Sequence, residues 1–140
     1  MLACCLMVLL TSRAAQGGAT QEVDLERVIQ RVINLPSIEQ YYHVDQDPSR
    51  KPLIITGARL QKSLKGRSNL RKFDKPVIVL PKTEIIKKKI KAYLEFTKIA
   101  IRGDVALVTL KYAVEGVGLN VVLHKQNRSW TVVRSRLWEN

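Results

Sequence analysis

The sequence predicts an α+β domain, an N-terminal amphipathic helix packed on a curved antiparallel sheet that ends in a four-strand meander. Three observations carry this. Ala106, Val108, Leu110, Tyr112 and Val114 fall on one face of an extended chain, against Thr109, Lys111 and Glu115 on the other, the period-two signature of a half-buried strand. Similar runs flank it, separated by the turn compositions Arg102-Gly103-Asp104, Gly116-Val117-Gly118 and Gln126-Asn127-Arg128-Ser129. Upstream, Leu25, Val28, Ile29, Val32 and Ile33 recur at three- and four-residue steps, which is helical.

The elements follow in order. Leu2 to Leu10 is an apolar run of signal-peptide length, too short to span a bilayer, and Ser12 to Ala19 is rich in small residues. Residues 1–19 therefore predict an export signal, cleaved after Ala14, Ala15 or Ala19, and residues 20–140 a single α+β domain. Leu2-Ala3-Cys4 and Ala3-Cys4-Cys5 also resemble a lipobox, which would make Cys4 or Cys5 the lipidated residue of a lipoprotein signal with a truncated start. The expected location is outside the cytoplasm, whether periplasmic, secreted or lipid-anchored.

Thr20 to Asn34 reads as a helix capped by Thr20, with Glu22, Asp24 and Glu26 at the positive end of its dipole. Ser37-Ile38-Glu39-Gln40 fits a capping box and a second short helix carrying Tyr41 and Tyr42 towards the core. His43 to Pro52 is a loop. Leu53 to Thr56 and Val77 to Leu80 are short strands, joined by a basic connection from Gly57 to Phe73. Thr83 to Ala92 is a helix capped by Thr83, with Ile85, Ile86 and Ile90 inward and Lys87, Lys88 and Lys91 outward. The meander then runs from Tyr93 to Trp138.

About 120 residues beyond the signal suffice to bury roughly two thirds of the unfolded-chain surface in one core. Both cysteines lie at positions 4 and 5, so the body of the chain has no disulfide, thiolate-bound zinc or cysteine nucleophile. The charge is lopsided: residues 49–91 hold fourteen Lys and Arg against Asp74 and Glu84, a local +12, while residues 1–48 sum to −3 and 92–140 to +3. Such a block is either a solvated basic face or a site for an anionic polymer or membrane surface, for which Arg67, Arg71, Lys72, Lys87, Lys88 and Lys91 are the candidates. Nucleic acid is disfavoured, because the block holds a single aromatic residue, Phe73, for stacking.

No nucleophile or metal motif accompanies His43 or His124, and Asp45 and Asp47 lack the further ligands of a calcium loop. The sequence thus names no catalytic residue, metal or cofactor. Gly116 and Gly118 precede no helix and read as a bulge or turn. Tyr41, Tyr42, Tyr112 and Trp130 could line a pocket between the helix and the sheet, each combining apolar surface with a polar handle. Trp130 also reads as core, on the same face as Val132.

The run Asp104-Val105-Ala106-Leu107-Val108-Thr109-Leu110-Lys111-Tyr112, then Glu115-Gly116, then Val121 to Asn127 and Arg128-Ser129-Trp130-Thr131-Val132-Val133 resembles the C-terminal half of small exported bacterial proteins with the cystatin-like or nuclear transport factor 2-like α+β fold. There a strand of type D-x-A-x-V is followed by K-x-x-G-x-W-x-V, and here Ser129 stands where glycine is usual before the tryptophan. The resemblance implies a roll, a helix held in a curved sheet, on a superfold that hosts isomerases, dehydratases and transport factors. Two functions are compatible with it. One is a non-catalytic exported interaction module whose concave sheet face takes a small apolar ligand or a protein, with a homodimer through the sheet as a further option. The other is a cone-pocket enzyme using Asp45, His43 or Glu115; no residue here matches the acid that such enzymes place in the cone.

Overall fold

Four long strands hold the centre of the molecule. The computed structural model describes residues 14–64 and 67–140, with side chains from Gln21 onward; the apolar run, Cys4 and Cys5 lie outside the described residues. The fold is α+β, with a six-stranded, mostly antiparallel sheet. β5 (Leu94–Arg102), β6 (Val105–Tyr112), β7 (Val117–Gln126) and β8 (Ser129–Glu139) pair consecutively and antiparallel. β1 (Ile54–Thr56) lies parallel to β5 on one side and to β4 (Ile78–Val79) on the other, giving the order β4-β1-β5-β6-β7-β8. β2 (Arg71–Lys72) and β3 (Lys75–Pro76) form a separate hairpin.

Alternation places Ala106, Val108, Leu110 and Tyr112 of β6 and Val117, Leu119, Val121 and Leu123 of β7 in the core. Val114 is a correction. It lies in a 3-10 turn, Ala113–Glu115, and is 37% exposed, because the chain leaves the strand after Tyr112. Phe73 and Asp74 turn the β2–β3 hairpin, and Asn127 and Arg128 turn β7 into β8, all four with φ between 49° and 64°, the left-handed backbone of a two-residue hairpin turn.

Helix α1 (Ala14–Ile33) buries Leu25, Val28, Ile29, Val32 and Ile33. Thr20 lies within this helix rather than at its cap, so Glu22, Asp24 and Glu26 are not first-turn residues. Helix α2 (Pro36–Glu39) corrects the capping box. Leu35 is its N-cap, no side chain caps it, and Ser37 Oγ finds no partner; Pro36 takes the first helical position and carries Ser37 past the cap. The expected connection from Gly57 to Phe73 contains helix α3 (Ala58–Leu64), whose Leu60 and Leu64, one turn apart, enter the core. Helix α4 (Lys82–Lys87) has Pro81, not Thr83, as N-cap. Being short, it buries Ile85 only, leaving Ile86 66% exposed and Ile90 half-buried.

Two glycines are required by close approach. A Cβ at Gly57 would meet the Phe96 carbonyl oxygen at 2.7 Å, where the start of α3 crosses β5. Gly118 is neither bulge nor turn, since it sits inside β7 opposite Trp138 and a Cβ there would lie 1.8 Å from Trp138 Cζ2. The bulges fall between Phe96 and Lys98 and in β8 at Val133.

Candidate functional site

The four aromatic residues expected to share a pocket are divided. Tyr42 and Tyr112 are buried and meet edge to face, 5.8 Å between ring centres, and Phe73 packs on Tyr42 at 5.3 Å. The Tyr42 hydroxyl donates to the Ile33 carbonyl, 2.9 Å, closing the end of α1. Burial pushes both phenols up, Tyr42 well above the ordinary tyrosine range, so both remain neutral. Tyr41 is half-buried against the edge of the core, and its hydroxyl donates to Glu139 at 3.3 Å. Trp130 meets the middle of α1, at Asp24, nine residues before Ile33 and hence about 13 Å away along the helix axis.

There Asp24 is 8% exposed. Its Oδ1 accepts from Trp130 Nε1 at 3.1 Å, and Lys125 Nζ lies 3.1 Å from both carboxylate oxygens. A carboxylate so buried requires such partners. Asp24 is a correction, since the helical pattern set it with Glu26, Arg27, Gln30 and Arg31 on the polar side; the signal for its burial is that Asp24, Val28 and Val32 follow at four-residue steps, which puts Asp24 on the apolar stripe.

Two of the three acid or base candidates meet. His43 Nε2 lies 3.6 Å from Glu115 Oε2, while Glu115 Oε1 accepts from Arg50 at 2.5 Å. Asp45 stays exposed in the preceding loop. Arg50 also reaches the carbonyls of Tyr41 and Tyr42, at 3.4 and 3.3 Å, and its Nε faces Asp47 at 3.4 Å. Glu115 raises the Arg50 guanidinium above its already high range. Engaged in this way, Glu115 pins the 41–50 loop to the β6–β7 turn and is poorly placed to move a proton. His124 is exposed on β7. Among the described residues, no three His, Cys, Asp or Glu are grouped to hold a metal, and no helix is long and apolar enough to cross a membrane.

The six anion-binding candidates serve different purposes. Lys72 Nζ is taken up by Glu39 and Asn34 and lies over the Tyr42 and Phe73 rings. Arg71 donates to the Asp74 carbonyl, and its backbone is clasped by the Gln30 amide through bonds of 2.9 and 3.0 Å. Arg67 lines a surface depression shared with Glu22 and Glu26. Lys87 and Lys88 are on and just after α4, where Lys88 faces Glu84 at 3.8 Å, and Lys91 follows, exposed.

Two surfaces were not singled out by sequence. The first is the sheet face turned away from α1. The register aligns Ala100, Leu107, Val122 and Arg134 in one row, Lys98, Thr109, Asn120 and Arg136 in the next, and Arg102, Val105 and His124 beyond. All are exposed or half-buried, with Val105 and Leu107 each 39% exposed. A further row runs Glu95, Lys111, Gly118 and Trp138, with Glu95 paired to Lys82 and the half-buried Trp138 ring lying over Gly118. The second is a groove of about 640 Å³ between α1 and the start of β8, lined by Arg27, Arg31, Arg128 and the apolar Leu35, Pro36 and Val132 among others, with no carboxylate.

Comparison with known proteins gives no match, whether to a family model, a curated protein or a solved structure.

Proposed function

We propose that the chain is an exported, non-catalytic interaction module with a cystatin-like or nuclear transport factor 2-like roll, and that the open face of β5–β8 receives an acidic protein surface. The roll reading is supported by the consecutive β5–β8 meander and by α1 packed across the core side of it. Export is supported by the apolar run Leu2–Leu10 and the small residues after it.

The observation that carries the binding reading is the composition of the open face. Val105, Leu107 and Val122 form an apolar centre with Lys98, Arg102, Lys111, Arg134 and Arg136 around it. A dry centre inside a charged rim is the anatomy of a protein interface, whereas a polyanion needs cations without the apolar centre. A second copy laid face to face would oppose cation to cation, which disfavours self-association through this surface. The α1 side of the sheet is taken up by buried side chains from α1, β6 and β7, which directs recognition to the other face.

The test is a photo-crosslinking residue at position 107, compared in the producing cell with one at position 86, also exposed and apolar but on α4. Position 107 is expected to give a discrete adduct with an acidic protein, lost on Arg134→Glu/Arg136→Glu. An adduct indifferent to that charge reversal, or retention of the protein on heparin or anionic vesicles with no protein adduct, would count against the proposal.

A further inference from the structure

β8 is an edge strand of eleven residues, paired with β7 on one side only. Its first half does not merely end at solvent. The groove beside it is lined by five consecutive residues, Arg128 to Val132. Successive side chains on a strand point to opposite faces, so a depression touching all five runs along the backbone edge rather than over one face. Its opposite wall is α1, which contributes Arg27, Gln30, Arg31 and Asn34, residues three, four and seven apart on one helical face. The walls are held near one another by Arg27 Nη1 to the Arg128 carbonyl, 3.5 Å, and Arg31 Nη2 to Ser129 Oγ, 3.4 Å.

The geometry points to a strand-addition site: the groove between α1 and the free edge of β8 takes an extended acidic segment of a partner protein. The segment pairs with the β8 backbone from Ser129 to Val132. Carboxylates on one side of it meet Arg27, Arg31 and Arg128, and apolar side chains on the other rest on Leu35, Pro36 and Val132. Backbone pairing supplies affinity in such sites and the alternate side chains supply selectivity.

Charge decides the occupant. Open edges invite pairing with a second copy unless charge or a bulge prevents it. Here Arg27, Arg31 and Arg128 line the groove and Val133 bulges from the strand, so two β8 edges would bring cations together, while an acidic strand meets only opposite charge in the groove. The first half of the strand, ahead of the bulge, is where regular pairing remains available. This site is separate from the open sheet face and stands or falls without it.

The experiment uses the full chain and a fluorescent decapeptide of alternating glutamate and valine, with three comparators: a lysine–valine peptide, the acidic peptide N-methylated at alternate residues, and polyphosphate. The acidic peptide is expected to bind, shifting the amide resonances of Ser129 to Val132 most. Arg27→Glu/Arg31→Glu should weaken it by about tenfold or more without a large fall in melting temperature, since both arginines are exposed and their contacts to Arg128 and Ser129 are long surface bonds. N-methylation should abolish binding, because it removes the backbone donors and leaves the charge. Failure of the acidic peptide to bind, equal binding after N-methylation, indifference to the double charge reversal, or tighter binding of polyphosphate at equal charge would each overturn the assignment. Charge reversal at Arg134 and Arg136 on the open face is the control that keeps the two sites apart.

Discussion

A carboxylate as buried as Asp24 is tolerable only while its partners stay in place. Trp130→Phe keeps most of the ring but removes the indole donor to Oδ1. The expected loss is about 1–3 kcal/mol in chemical denaturation, the usual consequence of stripping a partner from a buried acceptor. Ser37→Ala should do almost nothing, within about 0.5 kcal/mol, because Ser37 Oγ caps no helix, whereas a true serine cap would cost about 1 kcal/mol. Gly118→Ala drives a methyl into the Trp138 ring and should destabilise by about 1–3 kcal/mol. Repeating it in a Trp138→Ala background should recover most of that loss, which a double-mutant cycle reads directly. Tyr42 has a consequence in alkali. A phenol raised on folding contributes stability that is whole below the unfolded-chain value, near pH 10, and is lost as pH rises towards the folded value. Melting temperature should therefore fall more steeply above about pH 10 in the native protein than in Tyr42→Phe, even though that variant starts lower for want of the bond to Ile33.

At the scale of elements, the meander was legible because its signal is repeated. Alternation in β6 and β7 and the turn residues between strands specify one register, and a slip by one residue would expose every buried side chain. α1 was legible by the same logic at helical spacing. What escaped was short or non-local. β1 and β4 show as apolar runs, but nothing in so few residues tells parallel from antiparallel pairing, which depends on the crossover between them. α3 was hidden by its charge: Arg59, Lys62 and the basic residues around them obscure the single pair Leu60 and Leu64, which alone marks its inner face. Leu60→Ala should cost about 2–4 kcal/mol, a large effect in a segment whose composition reads as surface. The basic block is legible only as a sum. Counting cations says nothing about which of them are used within the fold, as Lys72 is, and the cations of the open face and of the groove come from α1, β5, β6 and β8, distant in sequence.

At the scale of the whole molecule, charge opposes folding. The chain carries 24 Lys and Arg against 12 Asp and Glu, a formal +12, and compaction brings those cations together. Ion pairs act in the other direction, but most of those among the described residues are at the surface, such as Lys82–Glu95 and Lys88–Glu84, and exposed pairs contribute little. Arg50–Glu115 and Lys125–Asp24 are the more shielded ones, with side chains no more than 21% exposed. At 0.1 M, salt largely screens repulsion between exposed charges more than about 10 Å apart and affects shielded pairs far less. Self-repulsion should therefore outweigh attraction, and adding sodium chloride should raise the melting temperature by a few degrees between about 0.02 and 0.3 M, flattening once the Debye length falls below the spacing of the cations. A fall over that range would mean that surface pairs outweigh repulsion. A rise that stays linear beyond about 0.5 M, with no early curvature, would mean that salting-out of apolar surface is responsible, since screening is by then nearly complete. Reversing Lys87, Lys88 and Lys91 to glutamate separates these cases: it lowers the net charge without touching the shielded pairs, and should raise the melting temperature at low salt while shrinking its response to added salt.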